Sequence, residues 1–173
     1  MTIVINLFGS SGSGKSTTAM GLAYKLKVLG YKVELVSEWI KEQIHAKNLN
    51  VVDDQLYIFA KQRKKQRILI GKGLDFIVTD SPLLLSNFYG EKYKSASPTM
   101  NNLFIDEFNS FSNLNFFLNR TVPFDPMGRF ETEQQSDLDS KNMVEFLADK
   151  NIPFHLVDEQ EKTLQIINLL NTL

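Results

Sequence analysis

Cysteine is missing from all 173 residues, which excludes disulfides, thiol nucleophiles and cysteine-ligated metals at the outset. Histidine is nearly missing: His45 and His155 stand far apart, so a zinc site or a Ser-His-Asp hydrolase has little to draw on. An excess of charge of one sign is lacking too. Nineteen basic residues meet twenty acidic ones, and a net charge of −1 gives no bulk field toward nucleic acid or membrane, though a local basic patch is compatible with that balance. No apolar run approaches the roughly 18 residues of a membrane span. The chain opens directly on an apolar strand pattern, without a basic segment and cleavable apolar stretch ahead of it, so a cytoplasmic location is expected.

What is present is ordinary globular composition, 43% apolar and 23% charged. The length suits one domain, 1–173, with a real core. Ile3, Val4, Ile5, Leu7 and Phe8 form a nearly continuous apolar run, as in a strand buried on both faces. A Gly/Ser loop follows. Lys15 to Leu29 then reads as a helix, with Met20, Leu22, Ala23, Leu26 and Leu29 at packing positions and Gly30 as the stop. Further strands are expected at Lys32–Val36, Asp75–Asp80, Leu114–Leu118 and Phe154–Val157. Further helices are expected at Trp39–Ala46, Asp53–Ile70, Asn101–Phe111, Ser136–Asp149 and Glu159–Leu170. In the second of these, Leu56, Ile58, Phe59, Ile68 and Leu69 are the expected packing positions. Alternating strands and helices, with connections too long for hairpins, imply an α/β fold with a mostly parallel five-stranded sheet and helices on both faces. The polar stretch from about 120 to 135, with Pro123, Pro126 and Gly128, is long for a connection and reads as a lid-like loop.

Between the first strand and the first helix stands Gly9-Ser-Ser-Gly12-Ser13-Gly14-Lys15-Ser16, the phosphate-loop (P-loop) pattern in its required context. Gly9, Gly12 and Gly14 let the backbone turn tightly, so that N–H groups from Ser13 to Thr17 converge on phosphate oxygens. The helix beginning at Lys15 adds its positive dipole end. Lys15 can reach the β- and γ-phosphates of ATP, and the Ser16 hydroxyl can ligate Mg²⁺. The alternative is a Gly/Ser linker ahead of a helix, which the strand–loop–helix context disfavours.

A kinase must also hold magnesium and orient or remove the proton of the attacking hydroxyl. Carboxylates at the carboxyl ends of strands are the candidates. Glu38 follows the second strand and Asp80 the third. Asp80, after an apolar strand, suits a Walker-B role on magnesium, and Glu38 suits the base; the two roles can be exchanged. The structural alternatives are a turn aspartate before Ser81-Pro82 and a solvated glutamate opening a helix. Trp39, the one tryptophan, either stacks on a substrate ring or packs in the core.

Arg120 and Arg129 bracket the polar loop and are candidates for neutralising the transferred phosphoryl group, against the plain reading of surface arginines. Lys61-Gln-Arg63-Lys64-Lys65-Gln-Arg67 is the densest charge run, with Lys92 and Lys94 a weaker second. A solvated basic helix face is the favoured account, and contact with a nucleic-acid backbone the alternative.

Taken together, Gly9–Thr17, Val36-Ser-Glu-Trp-Ile-Lys-Glu42, Phe59-Ala-Lys-Gln62, Phe76–Asp80 and Pro123-Phe-Asp-Pro-Met-Gly-Arg129 give the chain a family resemblance. It resembles the small P-loop kinase domains related to the ribosylnicotinamide kinase domain of bacterial NAD regulators, which also occur in bacteriophage genomes. The segment after the second strand is similar to that group's E-Y-A-R-E stretch, and the segment ending at Arg129 to its P-W-x-x-D-G-x-R lid. The resemblance implies a doubly wound parallel sheet, ATP-dependent kinase activity, a nucleoside-like or nucleotide substrate, and site roles for Glu38, Asp80 and Arg129. Trp39 and Lys41 depart from the pattern, Ser81-Pro82 follows Asp80, and the lid lacks the aspartate before its glycine. These changes lie where substrate is chosen, so nicotinamide riboside itself does not follow.

Three functions are therefore carried forward. The first is phosphorylation of a nucleoside or nucleotide hydroxyl. The second is phosphorylation of a hydroxymethylated base in DNA, with DNA a partner of the basic helix. The third is a nucleotide-driven switch or motor subunit without a small-molecule acceptor.

Overall fold

The computed structural model describes residues 1–125 and 131–172, the side chain of Leu49 aside. Five strands, β1 (Ile3–Phe8), β2 (Val33–Val36), β3 (Phe76–Thr79), β4 (Ser112–Leu118) and β5 (His155–Val157), form one sheet in the order β2-β3-β1-β4-β5. Every pairing is parallel. Among the described residues seven α-helices accompany them: α1 (Lys15–Val28), α2 (Trp39–His45), α3 (Gln55–Arg67), α4 (Leu84–Lys92), α5 (Pro98–Asn109), α6 (Glu133–Asp149) and α7 (Lys162–Leu170). No helix among the described residues is long and apolar enough to cross a membrane.

The apolar run of β1 explains the layering. Its side chains alternate between faces, and both faces are covered. Ile5 and Leu7 pack with Leu22 and Leu26 of α1 and Ile166 of α7. Val4 and Phe8 pack with Phe59 of α3, Leu84 and Phe88 of α4, Phe104 and Phe108 of α5, and Phe146 of α6. The sheet is thus the middle of three layers.

Register decides what meets at the top of the sheet. Asn6 of β1 lies beside Thr79 of β3, and Val36 of β2 lies beside Thr79 from the other side. The loops that leave these three strands therefore emerge side by side. Strand order also reverses around β1, the position where open α/β sheets leave a crevice at their carboxyl edge.

Several sequence expectations shift. Of the positions assigned to the core face of α1, Met20 and Leu29 are exposed, because the buried stripe runs Ala19, Leu22, Ala23, Leu26. In α3, Leu56 and Ile68 are exposed and of the five expected positions only Phe59 is fully buried. The inward stripe of that helix is Gln55, Phe59, Gln62 and Gln66, three glutamines and one aromatic, so an apolar pattern could not reveal it. Helix α4 was not expected at all. Leu84, Leu85, Ser86, Asn87, Phe88 and Gly90 are all buried, and a helix surrounded by protein shows no amphipathic period.

Candidate active site

The loop after β1 turns into α1 at Gly14, whose φ of 86° lies in the left-handed region that glycine adopts without strain. Lys15 follows, its Nζ donating to the carbonyls of Gly9 at 2.7 Å and Ser10 at 2.9 Å. The lysine is thus held against the loop whose N–H groups it complements. Gly9, Gly12, Gly14, Lys15, Ser16 and Thr17 line one cleft of about 470 Å³. Ser13 does not: it is buried, and its N–H donates to Ser10 C=O at 3.3 Å.

The loop has a second support that sequence reading missed. Ser136, fully buried in the first turn of α6, donates from Oγ to Ser11 C=O at 2.6 Å and lies 3.1 Å from Ser10 Oγ. A capping box starts that helix, with Thr132 accepting from the Gln135 N–H and Gln135 accepting from the Thr132 N–H. The Thr-x-x-Gln pattern was visible in the sequence; its bearing on the loop was not. Ser136→Ala should cost about 1–3 kcal/mol, the usual penalty for leaving a buried polar group unpaired. Thermal unfolding would measure that loss, and a nucleotide titration should show weaker binding.

Arg120 leaves the end of β4 and reaches the outer side of the same loop. A Cβ placed on Gly12 would stand 3.7 Å from Arg120 Cδ and 3.3 Å from the Phe124 ring. The guanidinium pairs with Asp137 and with Glu133, at 3.2 Å, and stacks over Phe124 at 5.3 Å. Arg129 lies outside the described residues.

The two acidic residues meet. Asp80 is buried, and its Oδ1 accepts the Glu38 backbone N–H at 3.0 Å. Thr79 stabilises the same turn by donating to Val36 C=O while accepting from the Ser81 N–H. Glu38 lines the cleft beside Lys15. Burial pushes its carboxyl pKa up, the Lys15 charge opposes that, and the nearby Asp80 charge raises it again. The net direction is upward, toward a carboxyl that can exchange a proton nearer neutral pH.

Part of the same cleft is an apolar chamber. Ile44 of α2, Val52, Ile58 of α3, Leu85 of α4 and Tyr89 of α4 supply apolar wall. Tyr89 stacks on Tyr93, centroids 5.9 Å apart. Burial and the carboxylates around it push the Tyr89 hydroxyl pKa up, so it stays protonated. Lys92 grips both oxygens of the buried Asp139, at 2.7 and 2.6 Å, and so ties α4 to α6. Burial alone would lower the Lys92 ammonium pKa, but the bond to Asp139 outweighs it and the shift is upward.

Trp39 does not line this chamber. Its backbone N–H donates to Gln62 Oε1 at 3.0 Å, and its ring packs edge-on against Tyr57 under Lys61. Much of the basic run is engaged as well. Arg63 and Arg67 share Glu107, at 2.7 and 2.6 Å, while Lys65 pairs with Glu42.

Sheet order, phosphate loop and crevice define a P-loop kinase-like α/β protein. No family model matches the sequence, and neither does any curated protein. Solved structures match over the full length. Deoxyadenosine kinase from M. mycoides, seen with dCMP and dCDP, aligns with 22% identity and a TM-score of 0.62 over 100% of both chains. Thymidylate kinase from Ehrlichia chaffeensis aligns with 15% identity and a TM-score of 0.68 over 98% of each. NadR in complex with NR aligns with 15% identity and a TM-score of 0.73, over 99% of this chain and 50% of that one. At such identities the likeness is one of fold.

Proposed function

We propose that the protein, as a single kinase domain spanning 1–173, transfers the γ-phosphate of ATP to a hydroxyl of a nucleoside or nucleotide. The observation that carries this reading is one cleft lined by the Lys15 loop, by Glu38, whose N–H bonds Asp80, and by apolar side chains of α2, α3 and α4. Nucleoside, thymidylate and NR-binding proteins share the fold.

In this reading the N–H groups of the loop and α1, with Lys15, bind the triphosphate. Arg120 cradles the nucleotide from outside Gly12, and Arg129, on the lid-like segment at about 120–135, neutralises the moving phosphoryl group. Glu38 takes the proton of the attacking hydroxyl, helped by its raised pKa. Magnesium takes few protein ligands and prefers oxygen. The Ser16 hydroxyl, in the cleft, and the carboxylate of Asp80, which accepts the Glu38 N–H, would supply such oxygens. The ion, when bound, neutralises phosphate charge.

Phosphorylation of a base within DNA draws less support from the α3 cations, because Arg63, Arg67 and Lys65 are committed to carboxylates within the fold. A switch without an acceptor leaves the apolar chamber unexplained.

The test is ADP release from ATP and Mg²⁺ across a panel of nucleosides, nucleoside monophosphates and hydroxymethylated DNA, with Lys15→Ala as control. Stimulation by a nucleoside or nucleotide that vanishes in Lys15→Ala, with phosphate recovered on that compound, is the expected result. Stimulation by the DNA alone, or by nothing in the panel, sinks the proposal.

A further inference from the structure

Exposed apolar side chains gather on the side of the sheet away from α3 and α4. Among the described residues sixteen large hydrophobics are exposed, and six of them lie in α1, the turn after it and β2. Met20, Tyr24 and Val28 stand four residues apart and so form one stripe along α1, facing away from the buried stripe of Ala19, Leu22, Ala23 and Leu26. Leu29 and Tyr31 follow in the turn. Strand alternation puts Leu35 on the same face of β2 as Val33, the face that α1 covers. Exposure runs from 37% at Leu35 to 69% at Tyr24. Six such side chains together present roughly 600–700 Å², at or above the largest apolar patch of an ordinary monomer. Each partner in a standard protein interface buries about 800 Å².

Charge keeps to the border of this patch. Lys25, Lys27, Lys32 and Glu34 are exposed around it, Lys27 and Glu34 as a pair at 3.6 Å. An uncharged centre holding Met and Tyr, inside a polar rim, is the anatomy of a protein–protein interface. The same face carries a recess. Leu26, Leu29, Tyr31, Phe76, Ile167 and Leu170 line a hollow of about 260 Å³. The Tyr31 ring, edge-on to Phe76 at 5.2 Å, forms one wall. Leu29 and Tyr31 therefore belong both to the exposed patch and to the rim of the hollow. A surface that holds an apolar ridge beside an apolar hollow is complementary to itself across a two-fold axis, as an isologous contact requires. The cleft is not in the way. Helices α3 and α4, which wall it, cover the Val4 and Phe8 face of the sheet, whereas α1 covers the Ile5 and Leu7 face.

We infer that the protein pairs with a second copy of itself through this α1–β2 face, with the ridge of Met20, Tyr24 and Val28 at the centre of the contact. Tyr24, in the middle of the ridge and the most exposed of the six, is the anchor. The walls of the cleft on α3 and α4 stay open in both copies.

Sedimentation velocity of the full chain at about 1–100 µM, the weak end of the range such interfaces span, reads the pairing. Wild type should reach twice the mass of one chain. Tyr24→Lys, which sets two cations at the centre of the contact, should raise the dissociation constant about 30-fold or more, the effect of losing a central aromatic anchor. Leu103→Lys alters a comparably exposed position on α5, in the opposite layer, and should leave the constant unchanged. Circular dichroism and thermal unfolding establish that each variant folds. Because the chain has no cysteine, Val28→Cys introduces a single thiol. A short bis-maleimide should join two chains through it and should not join Leu103→Cys. A wild type that stays monomeric at the highest concentration overturns the inference. If that monomer sediments with phosphatidylserine vesicles, the face belongs to a lipid surface instead. A dimer that folded Tyr24→Lys leaves intact, or that is joined through Leu103→Cys and not through Val28→Cys, overturns it as well, because the copies then meet elsewhere. The ADP assay above decides the kinase reading separately, so either can fail alone.

Discussion

Glu38→Gln is expected to lower kcat by about 10²–10⁴-fold, the usual range for loss of a positioned general base. KM for ATP should stay near wild type, because in the proposed reading the loop N–H groups and Lys15, not the Glu38 carboxyl, hold the triphosphate. Two pH measurements separate a base from a mere structural carboxylate. The wild-type rate should rise with pH through an inflection above the ordinary glutamate value of about 4.3, because burial holds the Glu38 proton more tightly. Glutamine should remove that limb. Stability should respond in the opposite sense. The folded state binds this proton more strongly than the unfolded chain, so ionising Glu38 costs stability. Below the ordinary glutamate range both states are protonated, and wild type and Glu38→Gln should unfold together. As pH climbs from that range through the raised pKa, wild type should lose stability relative to the variant. Above it the gap should stay constant. Thermal unfolding in the absence of nucleotide between pH 4 and pH 8, about the span between the unfolded value and neutrality, reads this directly. A wild type that gains on the variant with rising pH would show Glu38 to be stabilised as an anion and would end the base assignment.

Gly9→Ala carries the second large effect. Gly9 sits at φ +140°, and a Cβ there would stand 2.6 Å from Ser13 Oγ and 2.7 Å from Leu118 C=O. Both contacts are closer than real Cβ atoms come, and the second is backbone of the neighbouring strand β4, which cannot step aside alone. The loop must leave its place, and with it go the carbonyl that holds Lys15 and the array of N–H groups. Loss of about 2–4 kcal/mol of stability is expected, in line with strain at a special backbone position combined with overpacking. Nucleotide response is the sharper readout. ATP at about a hundred times its Kd should stabilise wild type by about 2.7 kcal/mol and leave Gly9→Ala unmoved. A variant that retains the full ATP shift would mean that the loop tolerates the added methyl and that phosphate binding does not depend on this turn.

Glu38 and Gly9 also mark how differently the two halves of the site could be read. The donor half is local. Gly9, Gly14, Lys15 and Ser16 occupy consecutive turns between one strand and one helix, so their spacing alone implied where their backbone groups would converge. The proposed acceptor half draws on α2, α3 and α4, which are separate in the chain. Gln55 was buried among helix residues whose apolar positions pointed elsewhere, and α4 showed no period because protein surrounds it. Trp39, which drew notice by its rarity, packs against Tyr57 and Lys61 away from the chamber.

The division follows from range. Apolar runs, helix periods and a phosphate-loop pattern are properties of neighbouring residues, and they were enough to imply the parallel α/β sheet and the nucleotide end of the cleft. Strand order and register are not local. Only the placement of β2, β3 and β1 side by side puts Glu38 on Asp80 and Glu38 near Lys15. Only long-range packing occupies Arg63, Arg67 and Lys92 with carboxylates. Which charges are spent inside the fold, and which polar groups remain for a ligand, depends on contacts across the whole chain.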